Sequence, residues 1–150
     1  MFRRRHPDLD DVTAGGDLVL LRRIAAEAVI LQDEAEELLR AVRAREPLAL
    51  LAPRGGRLAS RFVGLAQALP ASDDPAVQYY GERLREVLDH HALMMSASLD
   101  LLAVAWRSER LEEEIDRIAG LGRPAEWLED IRAALLLEPD SEAHAGYFAR

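Results

Sequence analysis

The stretch from Asp74 to Trp106 constrains the fold of this chain most strongly. After Pro75 it contains no further proline, and its apolar residues recur at the spacing of one helix face. A helix of this length extends roughly 50 Å at 1.5 Å per residue, and it cannot bury such a stripe alone. Other helices must therefore pack along it. The stripe consists of Val77, Tyr80, Leu84, Leu88, Met95, Leu99, Leu102 and Trp106, with His91 inside it.

Composition narrows the class of protein. The chain has 150 residues, enough for one domain with a core, and 49% of them are hydrophobic. The absence of Cys excludes disulfides, thiolate metal sites and Cys nucleophiles. The net charge of −8 argues against general nucleic-acid binding, because the phosphate backbone favours basic surfaces. No run of strand length alternates apolar and polar residues, so the sequence predicts an all-α fold.

The first long helix is predicted from Asp17, a good N-cap, to about Arg45. Residues 1–16 before it combine a basic cluster, an acidic run and two glycines, and we expect a flexible arm there. Gln32 is the polar exception in the apolar stripe of this helix. A partly exposed amide is the expected state for Gln32.

Two stretches in the middle of the chain carry local signals, one for a loop and one for a helix start. Pro53, Arg54, Gly55 and Gly56 predict the main loop, followed by a shorter helix over about Arg57 to Leu69. Asp74 then predicts a helix N-cap, because Pro75 occupies the preferred first helical position.

The apolar face changes after Trp106. Leu111, Ile115 and Ile118 fall nearly opposite to the earlier stripe. Either the helix breaks near Ser108, which would then be an N-cap, or it continues with its burial face reversed. In the second case the C-terminal helix or a second chain must cover these residues. Leu111, Ile115 and Ile118 are therefore the predicted interaction residues.

The last helix is predicted from Pro124 to about Leu137, with a tail over 138–150 in which Tyr147 and Phe148 are candidates for docking on a partner. We expect this helix to bury Trp127, Leu128, Ile131 and Leu135, with Leu136 as a further candidate. The predicted domain spans residues 17–137. Its predicted fold is an all-α antiparallel helical bundle with two long helices and two or three shorter ones.

One alternative is a metal site on the central helix. His90 and His91 are each followed four residues later by a methionine, Met94 and Met95. A pair at this spacing lies on one helix face, and imidazole with thioether suits a soft transition metal such as Cu(I). Bundle metal sites usually add ligands from several helices, often through Glu-x-x-His, and no such motif occurs in the sequence.

A second alternative depends on Arg85 and His90, which form an Arg-x4-His spacing. This spacing resembles the motif of the HEPN helical ribonucleases. The resemblance implies that Arg85 steadies phosphate charge and that His90 performs acid–base chemistry in a dimer cleft. It covers only these few residues. Five positions place the two side chains about 140° apart on a straight helix.

The first expectation is a non-enzymatic helical module for protein interaction or oligomerisation. A regulatory role would fit such a module. Its expected partner is another copy or another protein, without a required cofactor. No nucleophile motif such as Gly-x-Ser-x-Gly occurs. The apolar stretch Leu18 to Leu31 is interrupted by charges, and no export signal follows the basic start. We therefore expect a cytoplasmic protein without a membrane span.

Overall fold

The computed structural model describes the backbone of residues 7–139 and the side chains of residues 15–139. Over this range the chain forms helices and no strand, which confirms the all-α prediction. In chain order the elements are α1 (Pro7–Arg43), α2 (Leu48–Gln67), α3 (Pro75–Val104), a 3₁₀ turn (Ala105–Arg107), α4 (Glu109–Asp116) and α5 (Arg123–Leu137).

Helix α1 begins earlier than the sequence predicts. Its first residue is Pro7, so Asp17 lies inside the helix and the predicted N-cap there is wrong. Proline suits a first helical position because its missing N–H has no intrahelical partner there. Gly15 and Gly16 weaken the helix by about 1 kcal/mol each without ending it. Residues 1–6, which carry the basic cluster of the predicted arm, lie outside the described residues.

Helix α2 runs through the segment predicted as the main loop. Pro53 to Gly56 are helical, and the predicted helix start at Arg57 is wrong. Pro53 is the sixth residue of α2, so it removes one backbone hydrogen bond and its ring crowds the carbonyl of Ala49, at a cost of about 3 kcal/mol. Gly55 is buried, and a Cβ atom there would meet Leu99 and Leu38 side chains. Close packing against α1 and α3 therefore outweighs the weak local helix preference.

Helix α3 has the N-terminus that the sequence predicts. The Asp74 carboxylate accepts hydrogen bonds from the backbone N–H groups of Ala76 and Val77 at 3.0 and 3.1 Å, and Pro75 follows it. The helix gives way to the 3₁₀ turn at Ala105, and Ser108 caps α4 by accepting from Leu111 N–H at 3.2 Å. Of the two readings of this region, the break at Ser108 is correct.

The core lies where α1, α2 and α3 meet, and α5 packs on α1 and α3. Leu84, Leu88, His91 and Met95 are buried, as the stripe predicts. Trp106 is an exception. Because α3 has already ended at Val104, its indole is 75% exposed and donates only to Ala103 O.

Arg22 fastens the end of α5 to α1. Its guanidinium donates to the backbone oxygens of Leu135 at 2.8 Å and Glu138 at 2.7 Å. Carbonyl groups in the last turn of a helix have no intrahelical partner, so a cation placed there satisfies them. The last described turn of the chain is thus held in a fixed position against the first helix.

Candidate functional site

A groove of about 330 Å³ lies between the N-terminal half of α3 and helix α5. This volume is at the lower end of the range for ligand pockets. The groove has an apolar floor and an aromatic rim. Its lining residues are Tyr79, Tyr80, Arg83, Glu86 and Val87 from α3, and Trp127, Asp130, Ile131 and Ala134 from α5.

The rim aromatics are accessible although they are large. Tyr79 is 54% exposed and Trp127 is 48% exposed. Aromatic side chains bury large areas when they are covered, and such residues often anchor protein interfaces. The sequence predicts a buried Trp127 and adds Leu136 as a candidate. Both are wrong, because Leu136 is 64% exposed, whereas Leu128, Ile131 and Leu135 are buried as expected. Trp127 lies beside the buried stripe of α5 and not on it.

Charged groups of both signs edge the groove. The Arg83 guanidinium carbon lies 5.3 Å from the centroid of the Tyr79 ring, so this cation already covers one aromatic face. Glu86 and Asp130 place carboxylates on the two walls. An apolar floor with acidic walls suits a ligand that carries an apolar anchor and a basic group.

Tyr80 joins α3 to the end of α5. Its hydroxyl donates to Glu138 Oε1 at 2.9 Å. Burial raises the pKa of Tyr80, and the hydrogen bond to the Glu138 carboxylate raises it further. The phenol therefore stays protonated near neutral pH, and it fixes one end of the groove.

A buried polar contact lies in the core, apart from the groove. His91 is fully buried, and its Nε2 atom lies 2.7 Å from Gln32 Oε1. The Gln32 amide nitrogen donates to Ala125 O at 3.3 Å, which leaves Oε1 as the acceptor for His91. The expectation of a partly exposed Gln32 is therefore wrong. Burial lowers the pKa of His91 to about 4, with a smaller contribution from His90.

The candidate metal residues do not share one environment. His91 and Met95 are fully buried in the core, whereas His90 and Met94 are partly exposed. The His90 ring nitrogen Nε2 lies 3.3 Å from Leu121 O, and His91 contacts Gln32. Within the described part of the chain, no three His, Asp or Glu side chains form a group that could hold a metal ion.

The residues of the HEPN-like spacing point in different directions. Arg85 is exposed on α3, and His90 is turned toward the loop before α5, where it contacts Leu121 O. A ribonuclease role for this pair would need a second chain to complete the cleft, as the resemblance implies. It stays a hypothesis.

The three predicted interaction residues lie on α4 and just after it, and the chain covers them to different degrees. Ile115 is fully buried, and Leu111 and Ile118 are partly buried against the same core. Arg45 holds α4 in place through its contacts with Glu112 at 3.0 Å and Asp116 at 2.8 Å. Ile115 therefore has no side-chain surface left for a second chain.

The segment Pro75–Arg107 is long and apolar enough to cross a membrane, with a mean hydropathy of 1.2 over its most apolar window. The core helix of a soluble bundle meets the same test, and 33% of this window is buried inside the structure.

Comparison with known proteins identifies no relative: no family model, no curated protein and no solved structure matches this chain.

Proposed function

We propose that this chain is a non-enzymatic protein-interaction module whose binding site is the groove between α3 and α5. The observation that carries the proposal is the pair of half-exposed aromatics, Tyr79 and Trp127, on opposite walls of an apolar groove. Side chains of this size are costly to leave in water, and covering them is the main source of affinity in many interfaces.

The proposed architecture behind this site is an antiparallel bundle. Residue numbers rise along one helix as they fall along its neighbour: Glu27 meets Arg61 where Leu38 meets Gly55. The same sense holds between α3 and α5, where Tyr80 meets Glu138 and His90 meets Leu121. In such a bundle α5 and α3 form a continuous two-helix wall with a groove along it.

The proposed partner is a protein segment with an apolar anchor next to a basic side chain. The apolar anchor fits the floor formed by Val87, Ile131 and Ala134, and the basic group fits the carboxylates of Glu86 and Asp130. Such a segment can belong to another protein or to a second copy of this chain.

Site-specific photo-crosslinking in the native cells tests this function. Benzoylphenylalanine replaces Tyr79 in the groove or, as the control, Val63, which is 42% exposed on α2. Among the described residues, α2 packs on α1 and α3 and not on α5. We expect a discrete heavier adduct from position 79 alone, and an adduct of two chains of 16.7 kDa would identify a second copy. No adduct, or equal adducts from both positions, would contradict the proposal.

A further inference from the structure

The described chain ends beside the proposed groove. Helix α5 stops at Leu137, and Glu138 has extended backbone angles, so the chain leaves the helix axis there. The Glu138 carboxylate accepts from Tyr80, and its backbone oxygen accepts from Arg22. Contacts from α1 and α3 therefore fix the starting point of residues 140–150 at the end of the groove that Tyr80 lines.

The sequence of residues 140–150 contains the type of segment that the groove suits. Tyr147 and Phe148 supply two aromatic anchors, and Arg150 follows two residues later. The groove offers an apolar floor, two carboxylates, Glu86 and Asp130, and one cation, Arg83, which stacks on Tyr79, so the charged groups of its lining sum to −1. Aromatic anchors beside a cation thus match an apolar floor beside acidic groups.

The length of this segment is sufficient. Trp127 lies eleven residues before Glu138 on α5, which is about 16 Å along a helix axis at 1.5 Å per residue. Tyr147 lies nine residues beyond Glu138, and nine residues span up to about 30 Å when extended. The segment can therefore reverse direction after Pro139 and still reach the far end of the groove.

We propose that Tyr147, Phe148 and Arg150 of the same chain occupy the α3–α5 groove and compete with its partner. This inference depends on the proposed function for its biological meaning. A short covalent connection gives the segment an effective concentration in the mM range. A site with an intrinsic Kd of about 1 mM is then half filled by the chain itself, so a free partner must displace the segment.

Accessibility of Trp127 tests this inference on the full chain. Trp106, which is 75% exposed, is first replaced by Phe so that Trp127 is the one tryptophan. The test variant is Tyr147→Ser with Phe148→Ser, and the matched control is Ala145→Ser with Ala149→Ser. Acrylamide quenching of Trp127 fluorescence is measured for the three proteins.

We expect the aromatic double variant to raise the quenching constant roughly two-fold, because half or more of the sites lose their cover. The control should match the parent. Equal quenching in all three proteins would overturn the inference. So would a rise in quenching when the parent is diluted about a hundred-fold, because that would assign the occupant to a second copy.

Each of the two proposals can be contradicted without contradicting the other. The fluorescence experiment reports whether the groove is covered by its own chain in purified protein, and it needs no partner. The crosslinking experiment reports whether another chain reaches the groove in cells. Repeating the crosslinking with Tyr147→Ser and Phe148→Ser should increase the adduct if the segment and the partner compete.

Discussion

His91 and Gln32, which lie 59 residues apart in the sequence, form a 2.7 Å hydrogen bond between α3 and α1 in the buried core. Because Gln32 presents its oxygen, His91 donates from Nε2, and its Nδ1 atom has no hydrogen-bond partner among the described residues. A proton on Nδ1 would be buried without an acceptor. The pair therefore joins two helices in a way that requires a neutral imidazole.

Stability should fall in acid because of His91. In the unfolded chain this imidazole has an ordinary pKa near 6.5, and burial lowers its pKa in the fold to about 4. Between these values the unfolded chain binds a proton that the folded chain does not, so the contribution is complete above about pH 6.5 and is lost as the pH falls to about 4. We expect a loss of about 2 kcal/mol by pH 5.

Urea unfolding at about pH 7 and about pH 5 measures this loss. The reference is the double variant Gln32→Leu with His91→Leu. It lacks the imidazole, so its own change in stability reports the carboxylates that titrate in the same range. The wild-type protein should lose about 2 kcal/mol more than the double variant. An equal loss in both proteins would show that His91 is not the group responsible.

The hydrogen bond itself should show strong coupling in a double-mutant cycle. Gln32→Leu alone leaves the buried His91 N–H without an acceptor and should cost about 1–3 kcal/mol of unfolding free energy. His91→Leu alone leaves the Gln32 oxygen unpaired. The double variant should be more stable than the sum of the single losses predicts, because no polar group remains unpaired. Gln78→Leu, at an exposed position on α3, is the neutral control.

Neighbouring glycines of α2 should respond to alanine with opposite signs. At Gly55 a Cβ atom would clash with Leu99 and lie 3.0 Å from Leu38, so Gly55→Ala should destabilise the fold by about 1 kcal/mol. At Gly56 nothing lies within 4 Å of the added atom, so Gly56→Ala should stabilise the helix by about 0.5–1 kcal/mol. Thermal unfolding of both variants decides the matter, and a gain at both positions would exclude close packing at Gly55.

The N-cap of α3 should depend on one carboxylate, that of Asp74, and not on its neighbour Asp73. Asp74→Ala removes the acceptor for the N–H groups of Ala76 and Val77 and should cost about 1 kcal/mol. Asp73→Ala changes the neighbouring exposed carboxylate and should have little effect. Unfolding midpoints in urea compare the two, and similar losses would contradict the assigned cap.

Strong local signals predicted the parts of the fold that depend on them. The Asp74–Pro75 start and the last helix to Leu137 each follow from residues within one or two turns, whereas at Ser108 the sequence left a break and a continuous helix as alternatives. The continuation of α2 through Pro53 and Gly55 did not, because the deciding contacts come from Leu38 and Leu99 on other helices. Local preference favours a loop there, and packing decides otherwise.

The groove could be predicted less well than the helices. Periodicity identifies the buried face of α5, but Trp127 lies next to that face, on the groove between α3 and α5, and is half exposed. Likewise, the switch of face after Trp106 made Leu111, Ile115 and Ile118 candidates for an interaction surface, to be covered by the C-terminal helix or a second chain. The break at Ser108 turns α4 back onto the core, and Ile115 is buried there without a partner chain.

The clamp that Arg22 forms on the last turn of α5 has a consequence for synthesis. The first helix leaves the ribosome early, whereas its carbonyl partners at Leu135 and Glu138 are translated more than a hundred residues later. Contacts this distant in sequence delay the completion of folding. After α1, α2 and α3 have been made, the apolar faces that α5 covers stay exposed until α5 itself has been translated, and a chaperone that binds apolar surface has its target during that interval.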